Sequence, residues 1–375
     1  MRASVHENLP VAELISAVMT GDIGRPVIGT RFLVCHTSTQ RVPPYLGKTR
    51  VSSQKMPYYE TMDFLSGQPI MTRDTPTYIV VNPFSRSGRD AYSDVVRAVA
   101  EQMNLVGDYL PTSPAELTAI IQSGLSRGVV RFLVGGGDGT LSLAAHTLLF
   151  SPGVLGVLPL GTGNTFASSI GIKPWPHSLA ALMAGTPEAF DVGQVKTSLG
   201  TRTFLNSATL GISEQLVKLL TAEEKRRLKW GAWPLHVRRA LAESSPFHIT
   251  LEYHGQVDSF RTRQLVVAKG RNLAGPIFST PNADHHDQTL HVFSLGSHDW
   301  WSMVRVASLL LVGRHIEDVS AHYCAVKEVR VTTDPPRIID IDGDLWDSTP
   351  AVFGVLPRAL WVLTGASVSG GPKSE

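Results

Sequence analysis

Val134-Gly-Gly-Gly-Asp-Gly-Thr-Leu141 links an apolar run, Val129-Val-Arg-Phe-Leu-Val134, to a helical pattern that continues from Leu141 to Phe150. The run reads as a buried strand. The glycines therefore fall where a strand turns into a helix. Glycine there lets backbone amides approach a ligand and adopt positive φ. The helix start adds unpaired N–H groups and the positive end of a dipole. Together these make an anion site, best suited to phosphate. Asp138 is out of place beside phosphate unless it faces a metal ion or a substrate hydroxyl. Taken alone, the glycines are equally compatible with a tight turn that binds nothing.

Two further polar, glycine-bearing loops follow strand-like runs. Tyr78-Ile-Val-Val81 leads into Asn82-Pro-Phe-Ser-Arg-Ser-Gly-Arg89, and Val154-Leu-Gly-Val-Leu158 leads into Pro159-Leu-Gly-Thr-Gly-Asn-Thr165. Helical spacing at Tyr92, Val95, Val96, Val99 and Met103 follows the first loop. Ser113-Pro-Ala-Glu116 is a capping box with proline at the first helical position. With a further strand at 105–110 the order is β-α-β-α-β-α-β. That predicts a parallel sheet covered by helices, its loops converging at the strand C-termini. Three such loops on one edge make a nucleotide phosphate cradle without a Walker lysine.

Near Asp191 the texture changes to strand-like segments at 203–210, 247–254, 263–269, 289–295, 325–332 and 337–341. Alternation at 247–254 and 325–332 predicts antiparallel pairing. Helical stretches interrupt them at 214–243 and 298–312. The fold class expected is α/β, an N-terminal parallel-sheet nucleotide-binding domain followed by a mainly antiparallel, sandwich-like β-rich domain. The domain reading is an unassigned extension at 1–75, an α/β domain at 76–190, a β-rich domain at 191–365 and a tail at 366–375. Segments 11–19 and 31–35 could form a helix and a strand in the extension. Gly47-Lys48-Thr49 lacks the earlier glycine of a phosphate loop, since Val42 stands there.

The chain's 375 residues allow two domains, and a net charge of +2 gives no bulk signal for nucleic acid. Cys35 and Cys324 have no metal or redox spacing, which fits a reducing, cytoplasmic compartment. No apolar run reaches about 18 residues, so no spanning helix is expected. Glu7, Glu13 and Asp22 argue against a targeting peptide.

The glycine turn, Pro-Leu-Gly-Thr-Gly-Asn, the opening Asn-Pro and the late Asp342-Gly343-Asp344 together resemble the diacylglycerol kinase catalytic family of lipid kinases, over about Thr77 to Leu363. The resemblance implies transfer of phosphate from ATP, with Mg²⁺ bridging the phosphates, to a lipid hydroxyl. It implies that Gly136, Gly137, Gly139 and Thr140 hold phosphates. Asn82, Ser87, Thr162, Gly163 and Asn164 would line the nucleotide side. Asp138 would lie near the metal and the reacting groups, and Asp287 could hold a structural Mg²⁺. The family's late Asp-Gly-Glu supplies a general base that maps onto Asp344. Asp342 stands beside it, and which of the two acts stays open. As bare sequence, Asp-Gly is also a turn dipeptide.

The chain departs from the family pattern at Asp344 (usually Glu), Thr165 (often Asp), Gln288 (a glycine) and around Gly275, where a glycine cluster is reduced. Lys225 to Arg239 mixes basic residues with Trp230 and Trp233, and Trp300-Trp301 follows later. Such a stretch suits transient contact with an anionic membrane surface, although pattern alone favours a solvated amphipathic helix packed on its own domain. The partners expected are a lipid substrate and a membrane surface, with no nucleic acid and a possible homo-oligomer. Two competing readings are a soluble-substrate kinase of the NAD kinase type and a weakly active nucleotide or lipid sensor.

Overall fold

Four strands alternate with helices as the spacing predicts: β1 (Thr77–Val81), α1 (Gly88–Ala100), β2 (Leu105–Tyr109), α2 (Pro114–Ser126), β3 (Arg131–Gly136), α3 (Asp138–Leu148) and β4 (Val154–Pro159). The structure, a computed structural model, describes residues 67–212, 245–274, 277–278, 283–295 and 322–365. The segments read at 11–19, 31–35, 214–243 and 298–312 lie outside the described residues. So do the basic, tryptophan-bearing stretch 225–239, Trp300, Trp301, Gly275 and the tail. The described residues belong to one compact unit, Phe64–Glu375.

The four strands pair in parallel in the order β2-β1-β3-β4. β1, β3 and β4 are buried along their whole length, as strands covered on both faces should be. One face packs Leu117 and Ile121 of α2 and Leu141, Ala145 and Leu148 of α3 against Tyr78, Phe132 and Leu155. The other packs Val95 and Val99 of α1 against Ile79, Leu133 and Leu158. The capping box closes as read from the Ser113 side, where Oγ accepts the Glu116 N–H at 3.2 Å. Glu116 returns one residue earlier, accepting the Thr112 N–H at 2.7 Å.

After α4 (Thr165–Ser169) and α5 (Ser178–Ala184) the chain is mostly strand. β5 (Thr186–Thr197), β6 (Gly200–Phe204), β7 (Ser207–Gly211), β8 (Phe247–Tyr253), β9 (Gln256–Thr262) and β10 (Gln264–Ala268) come first. Then follow β11 (Asn272–Ala274), β12 (Ile277–Phe278), β13 (Leu290–Leu295), β14 (Tyr323–Val326), β15 (Glu328–Asp334), β16 (Ile338–Ile341), β17 (Asp344–Ser348) and β18 (Ala351–Thr364). An antiparallel sheet runs β14-β13-β10-β7-β16-β17. Its inner face (Leu210, Leu265, Val292, Ile339) meets Phe204, Ile249, Val331 and Phe353 of the first sheet, which makes the second layer of a sandwich.

The expected strand 203–210 is in fact two, broken at Leu205-Asn206. The amides there turn to the Asp342 carboxylate instead of a neighbouring strand. Segment 325–332 is likewise split at Lys327, whose carbonyl accepts the Val355 N–H. β18 was not expected, because Pro357 interrupts its apolar run and proline argues against a central strand. Pro357 falls at a register break between Leu356 and Leu360, next to Arg358 at φ 49°, and pairing with β5 resumes beyond it. β18 pairs with β15 at one end and with β4, in parallel, at the other. One strand thus binds the parallel sheet to the sandwich.

Candidate active site

The three glycine-bearing loops meet at the C-terminal edge of β1, β3 and β4. The Asn82 N–H donates to Gly135 O at 2.8 Å, Ser87 N–H to Leu160 O at 3.0 Å and Leu160 N–H to Gly136 O at 3.2 Å. Asn82 Nδ2 donates to Thr140 Oγ1 at 2.9 Å, tying the first loop to the first turn of α3. Gly137 is the N-cap of α3. The amides that follow it have no acceptor inside the helix and face the loop edge. Expected phosphate contacts at Gly136, Gly137, Gly139 and Thr140 are thus gathered at one helix start. The hydroxyl-bearing Ser87 and Thr162 are exposed beside it.

The glycines serve close approach. None from 135 to 139, nor Gly161 or Gly163, has positive φ, contrary to one reason given for them above. A side-chain carbon on Gly161 would collide with Gly137. The left-handed residue is Asn164, at φ 48°. Its side chain closes its own loop, accepting Gly161 N–H at 2.9 Å and donating to Gly161 O at 3.2 Å.

Asp138, half-buried at the start of α3, reaches across to the third loop. It accepts the Thr165 N–H at 3.1 Å and the Phe166 N–H at 2.9 Å. Asn206 Nδ2 approaches it at 3.4 Å from the break between β6 and β7. The Asn206 Oδ1 is buried with no hydrogen-bond partner. Sequence reading missed Asn206, which nothing but the fold brings here.

Asp342 and Gly343 form the two-residue turn between β16 and β17, with φ of 49° and 94°. Positive φ at both positions is the hairpin turn that Asp-Gly favours. The two aspartates then part company. Asp342 turns inward and accepts N–H bonds from Leu205, Asn206 and Ser207 at 2.8, 3.0 and 3.1 Å. Burial pushes its carboxyl up to about 6, the Asp138 charge adding to the rise against the pull of those amides. Asp344 is exposed and lies over the start of α3, so close that a side-chain carbon on Gly139 would sit 2.6 Å from its Oδ2. Gly139 and Asp344 share a groove of about 230 Å³ with Ser142, His146, Arg202 and Thr203.

The helix start and hydroxyls suit phosphate oxygens. Two carboxylates beside them, Asp138 and Asp344, need a cation between themselves and a polyphosphate, and the unpartnered Asn206 oxygen adds a third hard donor. Among the described residues no three Asp, Glu, His or Cys side chains form a metal shell of their own. A magnesium ion would arrive with the phosphates completing its shell, its usual mode.

Asp287 does not fit a divalent ion. Lys269 Nζ lies 2.6 Å from Asp287 Oδ1 and 2.6 Å from the Asp284 carbonyl. The other oxygen, Oδ2, faces His291 Nε2 at 2.8 Å. Burial alone would raise this carboxyl, but His291 and Lys269 outweigh it and hold it down at about 2. The Lys269 ammonium thus stands where the expectation at Asp287 has a divalent ion. Lys269 was also missed, lying on an ordinary apolar strand pattern.

Residues 76–195 match the diacylglycerol kinase catalytic domain, and residues 209–364 match the YegS C-terminal NAD kinase beta sandwich-like domain. The chain belongs to the diacylglycerol kinase catalytic family. It is therefore a phosphotransferase of a lipid kinase family. Diacylglycerol kinase of Bacillus subtilis (strain 168) is 25% identical over 76% of this chain and 95% of its own length. A probable YegS-like lipid kinase of Pseudomonas aeruginosa is 28% identical over 73% of this chain and 91% of its own. A crystal structure of a diacylglycerol kinase from Bacillus anthracis str. Sterne aligns with TM-score 0.62 over 80% of this chain and all of that one. At 20% identity that likeness speaks for the fold. Among the described residues no helix is long and apolar enough to cross a membrane.

Proposed function

We propose that this lipid kinase transfers the γ-phosphate of ATP, with Mg²⁺, to the hydroxyl of a lipid such as diacylglycerol or a sphingoid lipid. The observation that carries the reading is the position of Asp344 against Gly139, opposite the amide cradle. Phosphoryl transfer needs alignment and charge neutralisation more than covalent chemistry. When bound, the metal ion neutralises phosphate charge. The first-turn amides of α3, Thr140 and the exposed Thr162 hold the phosphates. Asp138 fixes the third loop against α3. Asp344, open to the groove, takes the proton of the acceptor hydroxyl as general base. Asp342, occupied by three amides, holds the strand break that carries Asn206, so the choice between the two aspartates falls on Asp344.

The lipid acceptor, the contact with an anionic membrane surface and a place in the cytoplasm belong to this reading, as does any self-association. The matching relatives' names support the lipid side. The test is transfer of label from γ-labelled ATP to diacylglycerol, sphingosine and NAD, presented in mixed micelles or in solution. Label in a lipid is the expected result. Label in NAD alone would replace the reading with a soluble-substrate kinase. Nucleotide binding without transfer to any acceptor would favour the sensor, which the departures at Thr165 and Asp344 suggest.

A further inference from the structure

Lys269 directly follows β10 with its side chain fully buried, and the Asp191 side chain beside it is also fully buried. A lysine ammonium has three N–H donors and no acceptor. Here three oxygens face it: Asp284 O and Asp287 Oδ1 at 2.6 Å each, and Asp191 Oδ2 at 3.4 Å. One carbonyl and two carboxylates are the donors a hard cation takes. Each carboxylate is completed by the chain. Asp287 also accepts the Asp284 and Thr289 N–H groups. Asp191 accepts N–H groups from Gln288 and Arg358, at φ 54° and 49°. A divalent ion bound to these oxygens would lie in contact with a like charge.

We propose that Lys269 is a built-in cation, a positioning residue that fastens the 283–289 loop to β5, β10 and the break in β18 without a divalent ion. The reach of this lattice extends to the candidate active site. The Lys269 and Gly270 N–H groups both donate to Asn206 O, at 2.8 and 2.9 Å, and Asn206 approaches Asp138. The proposal concerns a place apart from the phosphate cradle, so it stands or falls independently of the lipid acceptor.

The experiment uses the full chain without nucleotide. Wild type and Asp287→Asn are loaded with Mg²⁺ or Mn²⁺, desalted and analysed for retained metal by native mass spectrometry. The two should retain the same amount. One equivalent held by wild type and lost from Asp287→Asn would overturn the proposal. Lys269→Ala should melt about 6–10 °C lower in metal-free buffer, and millimolar Mn²⁺ should return at least half of that loss. The double variant Lys269→Ala with Asp287→Asn should show no such recovery. If Lys269→Ala yields folded protein only when Mn²⁺ is present, that too is the expected rescue. An alanine variant that melts with wild type, or one that Mn²⁺ does not rescue, contradicts the assignment.

Discussion

The chain treats two pairs of aspartates, Asp191 with Asp287 and Asp138 with Asp344, differently. Asp191 and Asp287 are given an ammonium, which fills the space between them. Asp344 borders an open groove, Asp138 opens the helix beside it, and among the described residues neither faces a Lys or Arg side chain within salt-bridge distance. A buried carboxylate costs several kcal/mol unless paired. The first pair, closed by Lys269, is architecture on the inference drawn above, and the second is the pair on which the proposed function relies. If the proposed function holds, the difference separates a structural acid, which has a lysine for its cation, from an acid that works on the substrate.

The sharpest way to break this distinction is to neutralise one member on each side. Asp344→Asn should lower turnover by about 10²–10⁴, the usual worth of a general base, and leave the melting temperature within a degree or so. Lys269→Met should do the reverse, costing about 3–5 kcal/mol of stability by leaving carboxylates buried and unpaired. Chemical denaturation and steady-state turnover on both variants check the pair. If Asp344→Asn retains full turnover, the base lies elsewhere. If Lys269→Met is as stable as wild type, the two acidic pairs are alike after all.

Gly139→Ala probes the open side more gently. Its new carbon would fall 2.6 Å from Asp344 Oδ2, and that carboxylate, being at the end of an exposed side chain, can swing aside. Stability should change little, while kcat falls by about 10–100-fold through misplacement of the base. A fall in KM affinity for ATP with unchanged kcat would instead mean that Gly139 serves nucleotide binding alone.

Local pattern carried much of the architecture. The parallel strands were legible because β1, β3 and β4 are continuous apolar runs, and the capping box marked α2. The convergence of the loops followed from strand direction alone. What sequence could not supply was set at long range. Asn206 reaches the site because Asp342, more than a hundred residues later, breaks the strand around it. Lys269 sits in the run Gln264-Leu-Val-Val-Ala-Lys269, where a charge at a strand end usually signals solvent; only the fold places two carboxylates around it. Gln288, read as a departure from glycine, is held in the left-handed region that glycine favours by its bond to Asp191. Asp342 and Asp344 have the same side chain, and only the direction each takes from the turn distinguishes them.

The smallest expected effect lies at the seam of the two regions, where His285 is buried. Its ring stacks on Phe190 at 4.9 Å and meets Phe166 edge-on. Nε2 contacts the Ser169 hydroxyl at 3.2 Å. Burial pushes this imidazole down to about 3, the Lys269 charge adding to the fall. An unfolded histidine binds its proton near 6.5. Between those values the unfolded chain holds a proton that the folded one refuses, so stability rises with pH. The contribution is present above about 6.5 and is lost as pH falls towards 3. Going from pH 7 to pH 5 should therefore cost wild type about 2 kcal/mol more than His285→Gln, which cannot titrate. Asp284, His286 and Asp287 also face this ring, so the measured quantity is the difference between the two proteins across pH. Equal slopes would mean that the ring takes up its proton in place, and that the seam between the closed and the open acidic pair is wetter than its packing implies.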